Sequence, residues 1–265
     1  MQYKILFFFI LGIQMANAQV KNFTYKGEFA ISDLKSIEEM MPLMPGIGSP
    51  MKDLLNEQSI KAFMMTPRKV GSEVSTNTYG IAACMEYYLN FNQNYKENLS
   101  PDYISLNVES DGKKHKIEDG LQFVANTGTV SAGILPYDSK VLNSSVNATQ
   151  KHKIKHYLVL FREITAAKQK LFELKKALTR GNPVLTEISV NQEFMNLNNA
   201  KYWSPATGSK TNITQTVIAV GFDEDRKAIE VQNFNGTTWG NNGYIWISYD
   251  DFSKLSQNAY VLVVE

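Results

Sequence analysis

The chain has 265 residues, of which 43% are hydrophobic and 20% are charged. These fractions are typical of a globular protein, and the length allows one large domain with a substantial core. The formal net charge is +1, so the charge balance gives no basis for binding nucleic acid or an anionic membrane surface.

Residues 1–18 are predicted to be a signal peptide. Lys4 precedes an apolar run over residues 5–13, and an Ala-x-Ala site at residues 16–18 predicts cleavage before Gln19. The run is about half of the roughly 20 residues that a membrane-spanning helix needs. The alternative is a buried N-terminal helix. We expect an exported chain without a membrane span, located in the periplasm or outside the cell.

Residues 19–65 are predicted to form an arm or lid in front of the main domain. Two helices are expected in it, one over residues 32–41 with Ser32 as its N-cap and one over residues 51–63. Six of the ten methionines lie between residues 40 and 65. Methionine-rich surfaces adapt to varied partners, so the segment is interpreted as a cover near a binding cleft. Packing against the domain is the alternative.

Three later segments have helical patterns. Residues 76–90 are apolar on all sides, which is typical of a buried central helix. Residues 117–127 and 168–180 show apolar residues at helical spacing on one side, and each ends at a glycine-containing turn.

The remaining pattern predicts strands rich in β-branched and aromatic residues, separated by turn residues. These are residues 156–161, 184–190, 216–222, 228–232, 244–248 and 260–264. Helices dominate the first half and strands the second. This order indicates an α+β protein with a helical lobe and an antiparallel β lobe.

The most specific motif lies in the C-terminal half. Residues 216–223 read TVIAVGFD, and residues 233–246, which begin ten positions after Asp223, read NFNGTTWGNNGYIW. Together they resemble the run HAVxxVGY followed by NSWGxxWGxxGYF of the papain-like cysteine peptidase family. The glycines allow tight turns and close backbone approach.

Other landmarks of the family follow in the same order, at residues 120–130, 135–138 and 174–184. The resemblance therefore implies a papain-like two-lobed fold for residues 66–265, with a helical N-terminal lobe and an antiparallel β-barrel-like C-terminal lobe. Secreted eukaryotic members of the family usually carry several disulfides. Cys84 is the only cysteine here, which favours a bacterial exported member.

The resemblance also implies four catalytic positions. Papain-like catalysis uses a cysteine nucleophile, a histidine base, an asparagine that orients the histidine, and a glutamine that binds the oxyanion. The alignment puts Thr76 at the cysteine position and Val70 at the glutamine position. Gln215, six residues before Gly221, stands at the histidine position, and Asn233 retains the asparagine.

Three of these four groups are therefore replaced. A hydroxyl such as that of Thr76 is a weak nucleophile without a base, and the amide of Gln215 cannot act as one. Val70 cannot donate to an oxyanion, and loss of one such donor alone costs about 10²–10³ in rate. Asn235 stands where the family has a tryptophan that shields the asparagine. We predict a pseudo-peptidase that binds a peptide or protein partner in the former substrate cleft.

The other reactive side chains are assigned structural roles. Cys84 lies in the predicted buried helix, where burial disfavours its thiolate. His115 is in a lysine-rich loop and is expected to face solvent. Together with His152 and His156 it gives no metal-ligand spacing, and neither a metal nor a cofactor is predicted. The retained Asn233 is interpreted as a turn-stabilising residue.

Two other functions stay open from the sequence. One is an active hydrolase with a non-standard nucleophile, Thr76 or Ser75. The other is a structural or accessory protein of the cell envelope without a ligand in the cleft.

Overall fold

The computed structural model describes residues 31–50, 55–71, 75–91, 93, 95–108 and 115–264. The predicted signal peptide lies outside these residues. The described helices are α1 (Leu34–Met40), a 3₁₀-helix (Lys61–Phe63), α2 (Thr76–Phe91), α3 (Pro101–Val108), α4 (Ile117–Asn126), α5 (Ser145–Ala148), α6 (Ala167–Thr179), α7 (Gln192–Met195) and α8 (Tyr249–Leu255). The described strands are β1 (Glu57–Ser59), β2 (His156–Phe161), β3 (Val184–Val190), β4 (Tyr202–Trp203), β5 (Ile213–Asp223), β6 (Ala228–Gln232), β7 (Tyr244–Ser248) and β8 (Ser256–Val263).

The strands form one sheet with the order β2-β8-β3-β5-β6-β7-β4, and β1 pairs with β5 outside this path. The main pairings are antiparallel, and the short β4 pairs with β7 in parallel. The predicted α+β fold with a helical lobe and an antiparallel lobe is confirmed. Within the described ranges, no helix is both long and apolar enough to cross a membrane.

β5 separates two hydrophobic cores because its side chains alternate between the faces of the sheet. Ile218 and Val220 pack into the core formed with α2, α3 and α4. Val217 and Ala219 pack into the core formed with α6 and α8. The β5 strand therefore lies at the junction of the two lobes, and residues near its start are shared between them.

The predicted cap of the first helix is wrong by one residue. Asp33 is the N-cap of α1, and its carboxylate accepts the backbone N–H of Ser36 at 2.9 Å. Ser32 instead accepts the backbone N–H of Val159 on its hydroxyl at 2.9 Å. Aspartate and serine are equally suitable N-cap residues. The Ser32 hydroxyl is bound to β2, and Asp33 therefore caps the helix.

The predicted helix over residues 51–63 is also wrong where the structure describes it. Residues 57–59 form β1, which pairs with residues 221–223 of β5. β3 pairs with β5 only as far as Ala219, so the last residues of β5 have a free edge on that side. β1 supplies the missing hydrogen-bond partners there, and this tertiary pairing outweighs the local helical pattern.

The described part of the methionine-rich segment packs into both hydrophobic cores. Met41 and Met44 are buried, and the backbone N–H of Met44 donates to the carbonyl of Arg180 at 3.0 Å. The backbone N–H of Ile60 donates to the carbonyl of Val220 at 2.8 Å. A role of residues 19–65 as a lid stays a prediction.

The other predicted elements agree closely with the structure. The elements α3, α5, α7, α8 and β4 were not predicted. α3 carried a usable signal, since Ser100 precedes Pro101, and serine at the N-cap followed by proline is typical of a helix start. The Ser100 hydroxyl accepts the backbone N–H of Tyr103 at 3.1 Å. The last strand begins at Ser256 rather than Tyr260, because its polar first residues pair with β3.

Candidate functional site

Thr76 is the first residue of α2, the buried helix that runs between the sheet and the other helices. Its side chain is partly exposed, whereas eleven of the residues that follow it in α2 are buried. Ser75 stabilises the start of the helix, because its hydroxyl accepts the backbone N–H of Asn77 at 3.2 Å. Among the described residues, the Thr76 hydroxyl makes no hydrogen bond.

Gln215 and Asn233 form a buried pair of carboxamides. The Nε2 atom of Gln215 donates to the Oδ1 atom of Asn233 at 2.7 Å, and both side chains are buried. Gln215 lies near the start of β5, and Asn233 directly follows β6. The backbone N–H of Asn233 donates to the carbonyl of Gly243 at 3.0 Å, so the turn before β7 holds this residue in place.

Val70 lies beside the same segment. Its backbone N–H donates to the carbonyl of Phe234 at 2.8 Å, and Lys69 forms a β-bridge with Asn235. The half-buried side chain of Val70 packs against the core of the helical lobe. Val70 therefore lies next to the chain that carries Asn233.

Asn77 joins the start of α2 to β5 and was missed by the sequence analysis. Its Oδ1 atom accepts a hydrogen bond from the hydroxyl of Thr216, and its Nδ2 atom donates to the carbonyl of His115 at 3.2 Å. Thr76 and Gln215 are thus brought together through their chain neighbours. A polar residue directly after the first residue of an apolar helix was the available signal.

Gly80 allows α2 to lie close to the sheet at this point. A Cβ atom added to Gly80 would lie 2.5 Å from Leu185 Cδ1 and 3.0 Å from Thr216 Cγ2. One turn of helix therefore separates Thr76 from the point of closest contact with β3 and β5. This close approach fixes the distance between the first turn of α2 and the Gln215–Asn233 pair.

The four positions thus lie in one region where α2 meets β5 and the chain after β6. A comparison with protein-family models matches residues 67–263 to the papain family of cysteine proteases. The chain belongs to the papain family of cysteine proteases. The match covers both lobes and all four positions.

Two curated relatives of the family show local similarity. The chain is 30% identical over 138 residues to a cysteine proteinase of Theileria parva, which covers 49% of this chain and 28% of the relative. It is 29% identical over 127 residues to the gamete and mating-type specific protein A of Dictyostelium discoideum, which covers 47% of this chain and 27% of the relative. The matches therefore span less than a third of the length of these relatives.

Solved structures of papain-family members share the fold at low sequence identity. Xylellain, a cysteine protease from Xylella fastidiosa, superposes with a TM-score of 0.66 at 18% identity, over 92% of this chain and 96% of that chain. The bromelain protease from Ananas comosus, in complex with the E64 inhibitor, gives a TM-score of 0.63 at 16% identity, over 80% of this chain and 100% of that chain. These likenesses confirm the two-lobed papain-like fold.

Cys84 does not face an open groove. It is fully buried in α2, and burial raises the pKa of its thiol well above the ordinary value. A thiol in such surroundings is a poor nucleophile, because the thiolate is the reactive form. Cys84 is therefore a core residue, as the sequence predicted.

His115 corrects one expectation from the sequence. It was predicted to face solvent in a lysine-rich loop, but it is buried, and its carbonyl accepts the hydrogen bond from Asn77. The contact of residues 115–116 with the first turn of α2 brings the end of that loop into the interior. Within the described ranges, no group of three or more histidine, cysteine, aspartate or glutamate residues is arranged to hold a metal ion.

A buried ion pair anchors the segment that carries Val70. The carboxylate of Glu86 in α2 accepts from Arg68 at 3.0 Å and from the backbone N–H of Leu99 at 2.7 Å. Burial raises the pKa of Glu86, and the charge and hydrogen bond of Arg68 oppose that rise. Arg68 also lies over the ring of Tyr137, 4.8 Å from its centroid. Arg68 thus ties the segment that carries Val70 to the helical lobe.

A cavity of about 530 Å³ lies beside Val70. Its walls include three carboxamide side chains, those of Asn196, Asn198 and Asn235. The Nδ2 atom of Asn235 donates to the carbonyl of Met195 at 2.9 Å, which leaves its oxygen as an acceptor. Carboxamides both donate and accept hydrogen bonds, so this wall matches the requirements of a peptide backbone.

Proposed function

We propose that this papain-family chain is a catalytically inactive pseudo-peptidase that binds a peptide or protein partner in its cleft. The observation that carries the proposal is the buried hydrogen bond between Gln215 and Asn233. In the motif alignment, these two residues correspond to the family's catalytic histidine and to the asparagine that orients it. A carboxamide accepts no proton at neutral pH, so Gln215 cannot activate the Thr76 hydroxyl as a base.

Three of the four predicted catalytic positions lack the chemical group that the family's mechanism uses. A serine or threonine hydroxyl needs an adjacent base for nucleophilic attack. Val70 offers only methyl groups where an oxyanion donor would be required, and removal of one such donor costs about 10²–10³ in rate. Cleavage by the papain-family mechanism is therefore not expected. The amide-lined cavity beside Val70 supports binding as the remaining function.

Incubation with a proteome-derived peptide library tests inactivity. The chain from Gln19 to Glu265 is mixed with the library, and new peptide ends are counted by mass spectrometry. We expect none above a heat-treated sample. Cleavage that is lost in Thr76→Ala would establish the alternative, an active hydrolase with Thr76 as nucleophile. If Ser75→Ala removed the cleavage instead, Ser75 would be the nucleophile.

Retention of peptides from the same library tests binding. The chain is immobilised, and retained peptides are eluted and sequenced. Thr76→Arg places a long charged side chain at the start of α2 and should abolish retention. Thr207→Arg adds the same side chain in an exposed loop and should leave retention unchanged. Equal retention by both variants and the unmodified chain would contradict binding in the cleft.

Export is a separate part of the proposal. It rests on the signal-peptide pattern of residues 1–18. Expression of the full chain in a bacterial host should yield a mature protein that begins at Gln19, in the periplasm or the medium. An intact N-terminus in the cytoplasmic fraction would contradict it, and Ala18→Arg, which blocks cleavage, serves as the control.

A further inference from the structure

A second cavity, of about 240 Å³, lies on the helical lobe near the end of α2 that is remote from Thr76. Met85 is the first residue of α2 in its wall, and the helix rises by about 14 Å between Thr76 and Met85. The loop before β2 and Val264 after β8 complete the wall. None of its described lining residues stands at the four candidate positions or lines the cavity beside Val70. The second cavity is therefore separate from the candidate site.

The inner part of this cavity is apolar. Met85, Leu99 and Ile154 line it and belong to the buried core of the helical lobe. The ring of Tyr88 also lines it, and the Tyr88 hydroxyl donates to the Oδ1 atom of Asn182 at 2.9 Å. An apolar cavity of about 150 Å³ binds benzene, so this larger cavity has room for a bicyclic aromatic ring.

Gln93 brings a hydrogen-bond acceptor without a partner to this wall. Its side chain lines the cavity, and its Oε1 atom is buried and makes no hydrogen bond with any residue that the structure describes. A buried polar atom without a partner lowers stability, because it has lost its hydration. A ligand N–H or O–H group bonded to this oxygen would remove that cost. The wall therefore favours an occupant that carries a hydrogen-bond donor.

The charge of the wall is positive. Lys151, His152 and Lys153 line the cavity, and its described lining includes no aspartate or glutamate. The Nζ atom of Lys151 donates to two backbone carbonyls and that of Lys153 to one, at 2.7 to 3.2 Å. Neither lysine forms an ion pair within the described part of the chain, so their charges are not neutralised there. An uncompensated positive potential attracts an anionic ligand.

We propose that this cavity binds a small aromatic carboxylate that carries an N–H donor, with the size of an indole acid. The ring occupies the apolar part, the N–H donates to Oε1 of Gln93, and the carboxylate lies in the positive potential of Lys151 and Lys153. The inference does not depend on the proposed function, because the site lies outside the cleft. A donor that satisfies the buried acceptor should increase affinity by at least about fivefold.

Three matched ligands test the donor and the charge. Indoleacetate is compared by calorimetry with its benzofuran analogue, which has an oxygen in place of the N–H, and with the neutral indoleacetamide. We expect indoleacetate to bind at least about fivefold more tightly than the benzofuran analogue. Its preference over the amide should shrink at high salt. Gln93→Leu should remove the preference for indole over benzofuran. Gln192→Leu, which removes an exposed carboxamide of α7, should retain it.

Methyl NMR shifts locate the bound ligand. Saturable shifts of Met85, Leu99 and Ile154 with indoleacetate, without a shift of Val70, would support the site. Shifts of Val70 alone would place the ligand in the cleft and overturn the inference. Equal affinity for the indole and benzofuran ligands, or no saturable shift at all, would also overturn it and would mean that the cavity holds only water. The ligand comparison in the unmodified chain decides the matter even if Gln93→Leu does not fold.

Discussion

Gln215 Nε2 lies 2.7 Å from Asn233 Oδ1, and both side chains are buried. The buried partner of the Asn233 oxygen is therefore a carboxamide N–H, and a carboxamide is not a base at neutral pH. Four predictions follow from this pair and from the packing around it.

Restoring the two reactive groups should restore the chemistry of a thiolate. In Thr76→Cys, alkylation by iodoacetamide should follow a cysteine pKa below the ordinary value of about 8.5, because the N-terminus of α2 favours the thiolate. In Thr76→Cys with Gln215→His, the midpoint should fall by at least about one unit, because a neighbouring imidazolium stabilises the thiolate. The measurement is the alkylation rate as a function of pH.

Two controls accompany the alkylation experiment. The unmodified chain should not react in its folded state, since Cys84 is fully buried. Thr76→Cys with Gln215→Leu should behave like the single variant. Identical pH profiles for the histidine and leucine doubles would show that positions 76 and 215 are not adjacent.

The Gln215–Asn233 pair should also contribute to stability. Gln215→Met leaves Oδ1 of Asn233 buried without its donor, which should lower the free energy of unfolding by about 1–3 kcal/mol. In the double variant Gln215→Met with Asn233→Leu, the loss of unfolding free energy should be smaller than the sum of the two single losses, because the two residues interact. Urea unfolding of the four proteins measures this coupling. Strict additivity would mean that the hydrogen bond adds nothing.

Gly240, in the Trp-Gly motif, should tolerate substitution poorly. It has a positive φ of 56°, and a Cβ atom there would lie 2.5 Å from the carbonyl oxygen of Tyr244. Gly208 has a positive φ of 80° with no atom within 4 Å of its added Cβ. Gly208→Ala should therefore lower the free energy of unfolding by about 1–2 kcal/mol, and Gly240→Ala by clearly more. Equal losses would show that the close approach at Gly240 is not a constraint.

Tyr79 should make stability fall in alkaline solution. Burial, followed by the charges of Asp102 and Asp138, raises the pKa of Tyr79 from 10.0 to about 12. The folded state therefore holds this proton more tightly than the unfolded state does. The resulting stabilisation is fully present below pH 10 and is lost as the pH rises through about 12. In Tyr79→Phe, the unfolding free energy should decline less steeply between these pH values.

Denaturant titrations at several pH values measure the Tyr79 effect. Tyr95→Phe is the matched control, because Tyr95 is 62% exposed and its replacement should leave the pH dependence unchanged. If the unfolding free energy of both variants declined with pH as steeply as that of the unmodified chain, Tyr79 would not couple folding to protonation in this pH range.

Motifs with a fixed spacing could be placed from the sequence. The glycine-rich run after Asn233 predicted the family, and the spacing back from Gly221 led to Gln215. Strands such as residues 184–190 and 228–232 were predicted to the residue, because their apolar runs end at clear turn residues. The helix that starts at Thr76 was predicted for a similar reason, since it is apolar on every side.

Contacts between distant segments could not be placed in this way. Residues 57–59 form β1 and not the predicted helix, because they pair with the free edge of β5 beyond Ala219. The local sequence of a segment does not indicate that a strand elsewhere in the chain has a free edge. His115 is buried because residues 115–116 meet the start of α2, although the charged residues around it predict exposure.

The sequence by itself thus determined the papain-like family and fold, because the spacing of motifs can be read without knowledge of contacts. The tertiary structure alone decided that Gln215 bonds Asn233, that Asn77 joins the lobes, and that Gln93 lines a cavity together with the loop before β2. Such contacts depend on which side chains lie next to each other in the folded chain, and these side chains are far apart in the sequence.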